Sequence, residues 1–237
     1  MRKNIIIGII LLIILGIVYF TNKKEVVAPV ITDIKPIELC FAQISQPNER
    51  GFHDEYTLRL LLNGEKVTGE LNFLPGEKDS KVGKLEGTIG PVDRIMMART
   101  ANLWWDTFGE GISAKEELLI IFGEGTASLG AGELVDRGDG VYIYKDSANL
   151  QYSFSLTDVS CLDLTERESV KNYLKSNITT LSPVKAVLGG TWYVLTVNLD
   201  LEKNSGTVTY EDGHIQEKNN FSYTTNEKQE VVSLTIN

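Results

Sequence analysis

Asn63-Gly64 stands between two runs of alternating apolar residues, and no other short stretch constrains the chain as tightly. Both residues accept positive φ, which the tight turn of a two-residue hairpin demands. Leu58, Leu60 and Leu62 recur at period two before the turn. After it Val67, Gly69 and Leu71 share one face while Thr68, Glu70 and Asn72 take the other. A polar loop follows, with Pro75, Gly76 and the run Glu77-Lys78-Asp79-Ser80, and then a strand pattern with Leu85, Gly87 and Ile89 on one face. The expectation is a meander of half-buried antiparallel strands, hence an antiparallel β-barrel or sandwich.

The remaining chain fits a mainly β protein. Val92 to Phe108 is ambiguous, Leu118 to Phe122 is a continuous apolar run, and glycines at 123, 125, 130 and 132 punctuate the next segment. Val141 and Ile143 alternate with Tyr142 and Tyr144, and Tyr152, Phe154 and Leu156 give a closing strand. Thr165 with Glu168 reads as a capping box, and Val170, Tyr173, Leu174 and Ile178 line one helical face. Four strand patterns come after the helix, at 191–201, 207–210, 215–223 and 231–236. The expected organisation is a transmembrane anchor over 1–24, a linker over 25–36, a barrel-like domain over 37–164 and a small α+β domain over 165–237.

The pattern Gly-Glu-Leu-Asn-x-Leu-Pro-x-Glu-Lys-Asp-Ser-x-Val-Gly-x-x-Glu-Gly, from Gly69 to Gly87, resembles a family of small, uncharacterised bacterial envelope proteins, many of them lipoprotein-like. The resemblance spans about residues 37–164 and implies a single barrel-type domain in the envelope. It also implies a cysteine near each end of that domain, as Cys40 and Cys161 stand here, and it brings no activity. Val-Leu-Gly-Gly-Thr-Trp-Tyr-Val at 187–194, with Tyr-Glu-Asp-Gly-His-Ile at 210–215, resembles a second uncharacterised module found beside the first.

The N-terminus carries the strongest statement about location. Arg2 and Lys3 precede an apolar run from Ile5 to Phe20, closed by Lys23 and Lys24. Sixteen helical residues reach about 24 Å, and flanking snorkelling lysines extend that toward the ~30 Å hydrocarbon core. No small-x-small cleavage pattern comes after it, so an uncleaved single-pass anchor is favoured over a signal peptide. Its charged flanks place the following domains outside the cytoplasm only weakly. Residues 25–36 hold two prolines and read as an extended tether. Cys40 and Cys161 are the only cysteines. A disulfide between them suits an oxidising compartment; buried free thiols or a reactive or metal-bound pair are the alternatives.

A formal charge of −9 speaks against nucleic acid as a partner, since phosphates call for a basic surface. Nucleophilic catalysis finds little support, with only His53 and His214 present and no Gly-x-Ser-x-Gly. Both histidines read as surface or turn residues. No zinc spacing, calcium loop or phosphate-binding loop occurs, so no cofactor and no metal are expected. The candidate binding residues are Glu77, Lys78 and Asp79 in the polar loop, and Trp104-Trp105, whose rings must face opposite sides of a strand. The expected role is non-enzymatic binding or envelope structure. The alternatives are a barrel holding a small apolar ligand with a tryptophan at its mouth, or an inhibitor that inserts Glu77–Ser80 into an envelope hydrolase.

Overall fold

The meander closes on itself. The computed structural model describes residues 35–237, so the anchor expected over 1–24 and nearly all of the expected linker lie outside the described residues. Among the described residues no helix is long and apolar enough to cross a membrane. Ten strands come first: β1 (Ile37–Ile44), β2 (Glu55–Asn63), β3 (Lys66–Leu74), β4 (Lys81–Ile89), β5 (Arg99–Gly109), β6 (Ile112–Gly123), β7 (Thr126–Ala131), β8 (Leu134–Asp136), β9 (Val141–Tyr144) and β10 (Gln151–Asp158). From β1 to β7 each pairs antiparallel with the next; β7 then pairs with β10, and β10 returns to β1. These eight strands make a closed antiparallel barrel rather than a sandwich. The β8–β9 hairpin hangs outside the ring, attached by a short parallel pairing of Lys115 with Val141. Its turn holds Arg137 and Asp139 paired to each other.

Closure has a local cause. Gly83 and Gly87 face inward on β4, where a Cβ would stand 2.0 Å from the carbonyl oxygens of Asp106 and Asn102 on β5. Only glycine lets the two backbones approach and coil this closely, which bends a meander into a ring. Alternate residues then point into the lumen and fill it. Leu58, Leu60, Val67, Leu71, Ala101, Ile120, Ala127 and Leu156 are fully buried there. A barrel of eight strands has just the diameter that such side chains occupy.

The outer face of β1 is also covered. Helix α1 (Cys161–Leu181) lies against it, with Leu164 packed on Cys40 and Ala42. Its other apolar positions, Val170, Leu174 and Ile178, pack on a four-stranded antiparallel meander of β11 (Tyr193–Asp200), β12 (Ser205–Glu211), β13 (Gln216–Thr225) and β14 (Val231–Ile236). Trp192, Tyr210 and Phe221 complete that second core. The helix is thus a middle layer shared by barrel and sheet. It begins one turn earlier than the Thr165–Glu168 box suggests. Ser160 is the N-cap, accepting from Leu162 N, while the Thr165 hydroxyl donates to Cys161 O inside the first turn.

Cys40 and Cys161 form a disulfide, with their Cα atoms 5.2 Å apart across 121 residues. It fastens the first turn of α1 to the outside of β1. Beside it Glu38 pairs with Arg59, whose guanidinium also donates to Thr165. With the sulfurs bonded to each other, this group offers no metal ligand set.

Candidate binding site at the barrel mouth

The strand register that fills the barrel also sends two charges into it. On β4 the inward set is Lys81, Gly83, Leu85, Gly87 and Ile89; on β6 it is Ala114, Glu116, Leu118, Ile120 and Phe122. Lys81 and Glu116 therefore meet inside one end of the ring. The Lys81 Nζ donates to both carboxylate oxygens of Glu116, at 2.6 and 2.7 Å. The same ammonium stands 5.2 Å above the ring of Trp105, which faces inward on β5. Such a cation over an indole is drawn to the negative face of the ring. Phe73, the cross-strand neighbour of Lys81, has its ring 6.3 Å from that of Trp105 and joins Tyr56 and Phe154 in mutual edge and tilted contact.

Above the ion pair the mouth opens into a cavity of about 420 Å³, lined among others by Asp79, Lys81, Thr107, Glu110, Ile112 and Glu116. Glu116 is nearly covered, whereas Lys81 keeps much of its side chain accessible. On the rim Asp79 and Glu110 come together, and the hydrogen bond and negative charge of Asp79 push the Glu110 carboxyl up. Two neighbouring carboxyls give the rim a negative edge. Ile112, at the β5–β6 turn, is 69% exposed and adds an apolar edge.

The polar loop divides between two places. Asp79 joins the mouth, but Glu77 pairs with Arg50, and Glu77 and Lys78 line a separate groove under the β1–β2 loop. Trp105 is buried in the barrel, with its indole N–H unpartnered among the described residues; Trp104 is half-buried on the outer face. Lys81, Glu110 and Glu116 are additions that only the structure brings in. A signal for two of them existed: each falls in the period-two register of an inward apolar set. His214 sits in the Asp212 turn, its N–H donating to that carboxylate. His53, by contrast, is no surface residue. Its ring is packed between barrel and helix, 3.3 Å from the Glu55 carboxylate.

The mouth can hold a charged group by ion exchange and an attached apolar part on Ile112. Ser80 lines it, but neither histidine does. Comparison with known proteins finds no family model that matches the chain, no similar curated protein and no similar solved structure.

Proposed function

We infer that the chain is a non-enzymatic binding protein, anchored by its N-terminal apolar run and held outside the cytoplasm, that takes a small ligand bearing a cationic group at the barrel mouth. The observation that carries this reading is the Lys81–Glu116 ion pair beneath an open cavity. A charge pair turned into an apolar lumen contributes little to stability compared with well-packed hydrophobic residues. Its worth lies in offering Glu116, and above it Asp79 and Glu110, to an incoming ammonium or guanidinium. The disulfide supports the extracytoplasmic placement, because such bonds persist in oxidising compartments. The envelope-family resemblance of residues 69–87 points the same way. An apolar ligand within the lumen is less favoured, since inward side chains already occupy it.

The test is thermal protection of the full-length chain by a panel of small amines, guanidines and carboxylates. At a concentration near a hundred times its Kd, a bound ligand raises stability by about 2.7 kcal/mol. Protection by amines or guanidines, lost in Asp79→Asn/Glu110→Gln, is the expected result. Protection by carboxylates alone, or by no member of the panel, contradicts it.

A further inference from the structure

The end of the barrel opposite the mouth holds out a turn of apolar side chains. Strand β4 leaves the mouth at Lys81 and ends at Ile89, and residues 90–98 then lead into β5. In that turn Val92 is 52% exposed, Ile95 94%, Met96 54% and Met97 58%. Single exposed hydrophobic residues are ordinary on a protein surface, but four on one turn mark a contact surface. The turn is tied to itself. Asp93 N donates to Ala98 O at 2.8 Å, and the Asp93 carboxylate accepts from Ile95 N and Met96 N at 2.8 and 3.1 Å. At its base Met97 and Ala98 lie close on Gly123 of β6, where a Cβ would stand 2.5 Å from Met97 O. Backbone donors near the tip thus have partners within the turn, as a segment leaving water requires. The Ile95 side chain meanwhile stays almost wholly in water.

Position narrows the partner. β1 starts at Ile37, itself 56% exposed and paired with Leu62 next to the β2–β3 turn. Ile89 N donates to Glu65 O of that turn, so the apolar loop and the start of β1 share one end of the barrel. Only residues 21–34 separate Lys35 from the apolar run that ends at Phe20. A loop at this end meets a bilayer as a tethered contact, for which little intrinsic affinity is needed. Four side chains are too few for a stable protein complex, which takes roughly 20–30 residues a side. Nor does charge select anionic headgroups, because the exposed Lys35, Lys66 and Arg94 stand among the exposed Glu65, Asp93 and Glu124.

We propose that residues 91–97 form a membrane-contact loop, whose Val92, Ile95, Met96 and Met97 side chains enter the boundary between headgroups and acyl chains of a lipid bilayer. The contact rests on the anchored placement inferred above and depends on apolar insertion rather than on lipid charge. It seats the barrel with its mouth turned away from the lipid and open to ligands in solution.

The test puts an environment-sensitive nitrobenzoxadiazole label on Ile95→Cys in the full-length chain, reconstituted into phosphatidylcholine vesicles that carry a spin-labelled phospholipid. Ser113→Cys, exposed at the mouth end of β6, is the reference position. Flotation of the chain with the vesicles reports the anchor separately from the loop. The label at 95 is expected to be quenched about twofold by the spin-labelled lipid, in high salt as in low, and the label at 113 not at all. Val92→Ser/Met96→Ser/Met97→Ser should abolish the quenching at 95. A chain that floats with the label at 95 no more quenched than that at 113 overturns the loop contact and leaves the anchor standing. Shielding at 95 without quenching by lipid, as a second copy seated on the loop would give, overturns it as well. So does quenching that survives the triple serine variant, since the label would then insert by itself. A chain that does not float contradicts the anchor and, with it, the loop contact.

Discussion

Glu55 shows how much a single residue's surroundings decide. On β2 it points away from the lumen, yet it is buried, because α1 covers that part of the barrel. Lys171 reaches it from the helix and His53 from the loop before the strand. The burial that would neutralise the carboxyl is overcome, and its folded value of about 2 lies below the ~4.3 of an unfolded glutamate. A carboxyl lowered on folding stabilises the protein above its unfolded value and ceases to do so as it is protonated. The contribution of Glu55 is therefore expected in full above pH ~4.3 and is lost as pH falls toward ~2. Burial draws the Lys171 ammonium down, so the pair as a whole gives less than the carboxyl alone implies. Glu55→Ala should nonetheless cost about 3 kcal/mol at neutral pH, by leaving Lys171 buried and unpaired. Acid titration of stability should show the variant flatter than the parent between those limits. Equal curves would remove Glu55 from the acid response. None of this was legible in the sequence. Glu55 and Lys171 are 116 residues apart, and His53 next to a glycine-containing loop looks like any solvent-facing histidine. Trp105, in contrast, was half legible: adjacent tryptophans on a strand must diverge, and only the choice of inner ring needed the fold.

At the scale of elements, the strands followed from period two wherever one face met the lumen and the other met water. The hairpin turn between β2 and β3 comes one residue later than Asn63-Gly64 suggests: Asn63 closes β2 in register with Lys66, and the two turn residues are Gly64, at φ 63°, and Glu65. The four strands of the second sheet fall where alternation placed them, to within a few residues. The stretch over 92–108 resisted because a loop shaped by Asp93, whose carboxylate accepts from Ile95 and Met96 N–H, precedes β5 and has no period of its own. The helix start was misplaced because two caps compete. Thr165 carries the box, but Ser160 lies beside the disulfide that fixes the first turn, and the chain caps there. Whether the ring closes or stays a sandwich is not written in periodicity, since both alternate alike. It is written in the inward glycines of β4. Gly87→Val should be among the most damaging single changes in the barrel, because its Cβ meets the Asn102 carbonyl at 2.0 Å and β5 cannot yield without opening the ring. A loss of about 3 kcal/mol or more is expected in denaturant unfolding, against less than about 1 kcal/mol for Gly111→Asn at the solvent-exposed β5–β6 turn. Similar losses at both positions would show that close strand approach on β4 does not sustain closure.

At the scale of the molecule, residues 35–237 make a barrel, a helix and a sheet, with the helix belonging to two cores and a disulfide tying it to the first. In the chain-entropy view, a cross-link over so long a loop stabilises by several kcal/mol, and loss of a native disulfide commonly costs about 2–5 kcal/mol. Cys40→Ala/Cys161→Ala should lower the melting temperature of the whole described unit, since a loosened α1 also withdraws Val170, Leu174 and Ile178 from the sheet. Two transitions, with the sheet's unmoved, would show that the helix couples nothing. The proposed role rests on the mouth, where the inward charges lie below an open cavity. The most direct measurement is native mass spectrometry of the full-length chain isolated from the cells that make it, beside the Lys81→Met/Glu116→Leu variant. Replacing the pair by apolar side chains of similar size keeps the lumen packed while removing its charge. A small molecule retained by the parent chain and absent from the variant is the predicted result. A parent chain that flies bare, or an adduct held equally by both, would contradict ligand binding at the barrel mouth.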